Sequence, residues 1–334
     1  MADNTPSVWA RVRRALGGMF GGSGCGGAVS AKASGGSMSK CSSCSSGGKR
    51  EPVSPFEQPS PQQMMAMQDE VINGVLGHIR HKLFIMSGKG GVGKSSVTVN
   101  VAAALAARGN SVGILDVDIH GPSVPNLLGL ASGIEVSEDG GKMLPARYNE
   151  NLSVISMDSF LKERDTAVLW RGPKKTAAIR QFISDVAWGD LDFLVIDSPP
   201  GTGDEHMTIL QSIPDALCVV VTTPQEISLA DVRKAVNFLE TAKGTVLGVV
   251  ENMSGLVCPH CHQSIDLFKK GGGEALAREY KLPFLGALPL DPAAVVAADR
   301  GQPVVLLPGE SPAKAAFMAL ADTIDKAVKE REPA

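Results

Sequence analysis

Residues 81–100 read HKLFIMSGKGGVGKSSVTVN. An apolar run, Leu83-Phe84-Ile85-Met86, enters a glycine-rich segment, and a helix-forming sequence follows directly. Gly88-Lys89-Gly90-Gly91-Val92-Gly93-Lys94-Ser95 fits the phosphate-loop pattern G-x-x-x-x-G-K-[ST] in its strand–loop–helix setting. The residue types follow from the chemistry. Glycines let the backbone wrap so that successive N–H groups converge on phosphate oxygens. The helix that follows adds unpaired N–H groups and the positive end of its dipole. In such a loop the Lys94 ammonium reaches the β- and γ-phosphates and the Ser95 hydroxyl ligates Mg²⁺. ATP and Mg²⁺ are the expected ligands, and residues 88–96, Ser96 included, are the expected nucleotide contacts.

Outward from this loop, β and α signals alternate. Strands are expected over 82–87, 111–116, 152–157, 191–197, 216–222, 245–252 and 284–288, and helices over 95–108, 174–187, 227–242 and 273–280. The near-continuous apolar runs 193–196 and 217–221 suit strands covered on both faces. The expected fold is α/β, a doubly wound, mostly parallel sheet over 82–332. A short helix is expected over 62–81. Residues 17–48 are mostly Gly, Ser and Ala, and Pro52, Pro55, Pro59 and Pro61 follow. Neither stretch can bury much apolar surface, so 1–61 is expected to be a flexible, disordered tail.

Composition narrows the partners. The chain has 334 residues, 43% hydrophobic and 20% charged, with a net charge of −3. No basic field is there to recruit nucleic acid or anionic lipid, and no apolar run reaches the length of a membrane span. Arg11, Arg13 and Arg14 precede no sustained apolar stretch, so a cytoplasmic location is expected rather than export. Six cysteines in a chain this long do not make a disulfide scaffold; closely spaced ones point to metal or redox chemistry.

Three carboxylates fall where strands should end. Asp116 and Asp118 follow the second strand, at the carboxyl-end crevice where open parallel sheets bind ligands. Alternation would place them on one face. Asp118 is assigned to orienting the attacking water and Asp116 to the Mg²⁺ hydration shell, with a loop cap as the competing role. Asp197 closes the run Leu194-Val195-Ile196 as a Walker-B carboxylate near Mg²⁺. Gly201 and Gly203 then give a loop that can sense the γ-phosphate. Lys94 and Asp118 are the catalytic residues that the motifs lead one to expect.

Cys258-Pro259-His260-Cys261-His262 follows a strand. Two thiols at this spacing can bind one metal centre but supply half of a four-thiolate site. Several readings fit. Attachment of a c-type haem requires export. A thioredoxin-like redox pair opens a helix early in its own fold, whereas this pair lies late. Zinc or an iron–sulfur cluster could bridge two copies of the pair, and idle cysteines are the remaining option.

Lys89, directly after the first glycine, makes the loop resemble that of the MinD/ParA/nitrogenase-iron-protein group. The resemblance implies an ATP-dependent homodimer in which this lysine, Lys89, reaches the partner's nucleotide as a further catalytic residue. Residues 68–330 are similar to the Mrp/ApbC-type iron–sulfur carrier ATPases, through SGKGGVGKSS, DVDIHGPSVP, WRGP, IDSPPGTGDEH, VENMSGLVCPHC and LFKKGGGEALA in that order. This implies a labile [4Fe–4S] cluster held between two Cys258/Cys261 pairs and passed to apo iron–sulfur proteins. It also implies that Asn252 and the loop 289–292 hold the adenine. A cytosolic scaffold branch of relatives carries a four-cysteine cluster motif in the tail. This chain has Cys25, Cys41 and Cys44, with Arg50 about where a fourth would stand, so a second cluster site and incidental thiols both remain open. The competing function is a MinD/ParA-type spatial organiser with structural zinc at the Cys pair. Against it, residues 322–331 read as a mixed-charge helix without the bulky apolar face of a membrane anchor, and no basic stripe suggests DNA. An electron donor like the nitrogenase iron protein would carry widely separated cysteines.

Overall fold

The computed structural model describes residues 61–332 apart from 119–120, 132, 134, 139–140, 158–171, 259–260 and 262. The expectations for the tail, Cys25, Cys41 and Cys44 lie outside the described residues.

In chain order the elements are α1 Pro61–Leu76, β1 Ile79–Ser87, α2 Lys94–Ala107, β2 Val112–Asp116, α3 Val124–Leu127, β3 Glu135–Val136, β4 Met143–Leu144, β5 Ala146–Arg147 and β6 Leu152–Ser156. Then come α4 Gly172–Ser184, β7 Leu191–Asp197, α5 Asp204–Ser212, β8 Leu217–Thr222, α6 Glu226–Thr241, β9 Thr245–Glu251, β10 Leu256–Val257, β11 Ser264–Ile265, α7 Gly272–Glu279, β12 Phe284–Ala287, α8 Pro292–Asp299 and α9 Pro312–Lys329. Among the described residues, eight strands form one sheet in the order β12-β9-β8-β1-β7-β2-β6-β5. Every pairing in it is parallel except β5 with β6. This is the doubly wound P-loop NTPase architecture that the alternating signals imply.

The central strands are apolar on both sides because both sides are covered. Phe84 and Met86 of β1 enter one core together with Leu194, Ile196, Cys218 and Val220. That core is closed by α1, α4, α5, α6 and α7 through residues such as Ile72, Ile179, Ile209, Val232 and Leu276. Leu83 and Ile85 enter the other core with Phe193, Val195, Val219 and Val221, beneath α2 and α9. The alternation along each strand thus sorts side chains into two cores rather than into core and solvent.

Two expectations are corrected. The helix expected over 62–81 stops at Leu76, where Gly77 donates its N–H to the Asn73 carbonyl, and β1 already begins at Ile79. Ile79 and His81 are drawn into the sheet by pairing with Leu191 and Phe193. The C-terminal helix is also longer than its charged end suggests. It starts at Pro312 behind a Ser311 cap, whose Oγ accepts the Lys314 N–H at 3.2 Å. Its buried Phe317, Leu320, Ala321, Ile324 and Val328 face α2 and the sheet. The bulky apolar face therefore exists and is spent on the core. Among the described residues no helix is long and apolar enough to cross a membrane.

Candidate functional site

All parallel strands point their carboxyl ends the same way, and the chemistry-bearing residues collect there. The phosphate loop leaves β1 at Ser87 and enters α2 at Lys94. Gly91 and Gly93 hold φ of +80° and +82°, which L side chains rarely adopt. Two further glycines make room. A Cβ on Gly88 would collide with the Asp231 backbone of α6, and one on Gly93 would strike the Asn252 amide.

Lys94 and Asp197 are both buried and pair at 2.7 Å. Asp197 Oδ2 accepts the Ser95 hydroxyl at 2.6 Å, and Oδ1 accepts Thr98 Oγ1 at 2.6 Å. Asp116 stands opposite Asp197 in the β2–β7 register and is fully buried. Its Oδ2 accepts Ser156 Oγ at 3.0 Å and its Oδ1 the Asp118 N–H at 3.1 Å. Burial, and then the negative charge of Asp197, raise the Asp116 pKa well above the usual carboxylate range. Ser95, Asp116 and Asp197 thus offer a hydroxyl and two carboxylates, the hard oxygen donors that suit Mg²⁺, and a cation there would relieve the crowding of two carboxylates.

Asp118 lies beyond the end of β2, buried, with Oδ1 accepting the Gly121 N–H at 3.1 Å. The loop after Asp197 is anchored at both ends. Gly201, at φ +96°, donates its N–H to the Ser87 carbonyl at 3.1 Å. Gly203 donates its N–H to His206 Nδ1 at 3.3 Å. The His206 ring is buried between Phe84 and Phe238, and desolvation lowers its pKa to about 4. Lys175 of α4 pairs with Glu205 at 2.7 Å, tying the start of α5 to α4.

Lys89 is half-buried on the loop, and among the described residues its ammonium meets no hydrogen-bond or ion-pair partner. Asn252, just past β9, donates Nδ2 to the Val92 carbonyl at 2.8 Å and so braces the phosphate loop. Asp291 of the loop 289–292 is engaged structurally: it caps α8 through the Ala293 N–H at 2.9 Å and receives the Ala313 N–H at 3.3 Å.

The Cys pair lies on the excursion that leaves β9 and passes through the antiparallel β10–β11 pair. Cys258 is half-buried and donates its N–H to the Gln263 carbonyl at 3.0 Å; Cys261 is exposed. Among the described residues no group of three or more His, Cys, Asp or Glu could hold a metal ion by itself. The structure therefore brings Lys94, Ser95, Asp116, Asp197 and Asn252 together at one crevice and puts the Cys pair on a neighbouring loop. Thr98, Ser156, His206 and Glu251 escaped the sequence reading. Thr98 had left a trace, as a buried-type polar residue in the apolar run Val97–Val101 of α2.

A family profile described as ParA, NUBPL iron-transfer P-loop NTPase, matches residues 78–325. The chain is 48% identical over 250 residues to the iron-sulfur cluster carrier protein of Methanocaldococcus jannaschii, a match covering 75% of this chain and 86% of that protein. It is likewise 48% identical over 239 residues to the cytosolic Fe-S cluster assembly factor CFD1 of Candida glabrata, covering 70% and 84%. Among solved structures, the nucleotide-binding protein of Archaeoglobus fulgidus in complex with ADP superposes with a TM-score of 0.63 at 40% identity, over 70% of this chain and 92% of that one. The cell division ATPase MinD of Pyrococcus furiosus gives 0.52 at 25% identity, over 74% and 98%.

Proposed function

The chain belongs to the NUBPL iron-transfer P-loop NTPase family, and from that premise we propose that it is an ATP-hydrolysing carrier of a [4Fe–4S] cluster. The cluster is cargo. It is held by Cys258 and Cys261 of each chain of a homodimer and delivered to apo iron–sulfur proteins in the cytoplasm. The observation that carries this reading is placement: an accessible Cys pair and the phosphate loop both leave the sheet at the carboxyl ends of its strands. Each chain contributes two thiolates and a cluster takes four, so a two-fold axis completes the set.

The nucleotide half follows from the crevice. Lys94 exchanges Asp197 for the β- and γ-phosphate oxygens, and backbone N–H groups of the loop hold the rest of the phosphate chain. Ser95, Asp116 and Asp197 would hold Mg²⁺, which supplies charge neutralisation at the phosphate oxygens. Asp118 orients the attacking water. Lys89 extends to the partner's nucleotide, and Asn252 borders the adenine.

The test is anaerobic reconstitution of a chain in which Cys25, Cys41 and Cys44 are Ser, followed by iron, sulfide and zinc analysis. About two iron and two sulfide per chain are expected, in a dimer. Cys258→Ser or Cys261→Ser should abolish both cluster retention and transfer while leaving ATP binding intact. Zinc in place of iron, or a complete cluster on a monomer, would overturn the bridging reading.

A further inference from the structure

Glu251 ends β9 and is wholly shielded from solvent. A buried carboxylate must have its lone pairs met, and here they are met by the excursion that carries the cysteines. Oε1 accepts the Ser254 hydroxyl at 2.6 Å and the Gly271 N–H at 3.0 Å, and Oε2 accepts the Gly273 N–H at 2.5 Å. Ser254 precedes β10, and Gly271 and Gly273 open α7 at the far end of the excursion, beyond β11. One carboxylate therefore holds both ends of the segment bearing Cys258 and Cys261. The glycines are there for closeness: a Cβ on Gly273 would stand 3.0 Å from Glu251 Cβ, and one on Gly272 would press on the Pro224 carbonyl at 2.7 Å. The start of α7 also favours negative charge.

The next residue faces the other way. Asn252 donates Nδ2 to the Val92 carbonyl of the phosphate loop at 2.8 Å, and its own N–H is fixed to the Thr222 carbonyl at 2.7 Å. Met253 then takes φ of +58°, a left-handed conformation uncommon for a residue other than glycine. Such a turn persists where its surroundings over-determine it. Two residues joined by one peptide bond thus grip the nucleotide loop and the Cys segment.

We infer that Glu251 is a positioning residue that passes the state of the nucleotide site to Cys258 and Cys261. Its meaning for cluster release rests on the carrier reading above; the mechanical link does not. When nucleotide rearranges the loop around Val92, Asn252 shifts. Glu251, rigidly bonded at three points, then moves the base of the Cys segment with it.

The experiment uses the full chain, reduced and free of cluster. Alkylation of Cys258 and Cys261 by N-ethylmaleimide is timed peptide by peptide, with Mg–ADP or with Mg and a non-hydrolysable ATP analogue. Buried Cys218 serves as the internal control. In the unaltered chain the two nucleotides should give rates differing by about fivefold or more. Glu251→Gln keeps the shape but replaces one acceptor oxygen with a donor. Its ratio should fall to about one, with nucleotide affinities within about twofold of the unaltered chain. A plain buttress would change stability but not this ratio. If Glu251→Gln does not fold, Ser254→Ala decides: a reduced ratio supports the link and an unchanged one overturns it. Equal rates with both nucleotides in the unaltered chain, or a full response retained by a folded Glu251→Gln, would also overturn it. Failure of the carrier reading looks different: iron and sulfide are not retained, yet the thiol ratio persists.

Discussion

Lys94, proposed to hold phosphate, is also a structural cation in the folded chain. Its pairing with Asp197, both side chains buried, means that Lys94→Ala strands a carboxylate beside Ser95 and Thr98 alone. The variant should lose phosphate affinity and also about 3 kcal/mol of stability. Adding Asp197→Asn should recover much of the stability but none of the binding, which urea midpoints and nucleotide titration can separate. His206 gives a pH signature. Its folded pKa of about 4 lies below the ordinary 6.5, so between these values the unfolded chain takes up a proton that the folded one excludes. Stability should be fully present above about pH 6.5 and fall as the pH drops toward 4, by about 3 kcal/mol in all. His206→Gln should flatten that slope in denaturant titrations. The phosphate-loop residues were legible because their chemistry is local and contiguous. Thr98 and Asp197 meet across 99 positions and Ser156 and Asp116 across 40, and one-dimensional spacing does not reveal such partners.

Among the elements, the phosphate loop depends on close approach as much as on backbone freedom. Gly93→Ala meets both a φ of +82° and the Asn252 amide, whereas Gly109→Ala meets a φ of +87° with open space around it. Gly109→Ala should cost about 1 kcal/mol of stability from strain alone. Gly93→Ala should additionally weaken nucleotide binding by about tenfold or more, because Asn252 is pushed off Val92. Calorimetric titration of both variants checks this. The α9 helix shows how an element is misread. Residues 322–331 alone look charged, and the apolar stripe emerges only when its period is followed from Pro312 through Phe317, Leu320 and Ile324. Ile324→Ala should cost about 3 kcal/mol. The end of α1 differs from the expectation for a related reason: 77–81 carries no strong strand pattern, and its state is set by pairing with β7.

For the whole molecule, the alternation of apolar runs and helical segments was enough to foresee a parallel, doubly wound sheet. The strand order was not, since contacts between β1 and β7 or β8 join segments separated by about a third of the chain. The proposed dimer makes its own demand on activity. Lys89→Ala and Lys94→Ala should each be slow alone, and mixing them should restore turnover above the sum of the two, because one site would regain both its own Lys94 and the partner's Lys89. Strictly additive turnover would place Lys89 in its own chain's site. Among the described residues the sheet ends in β12, four residues long, and β5, two residues long and antiparallel to its neighbour. Stubs of this length give an incoming strand few backbone groups to pair with. Growth by strand addition at these two edges is thereby disfavoured, so crowding should favour closed pairs formed through side-chain surfaces over open-ended fibres.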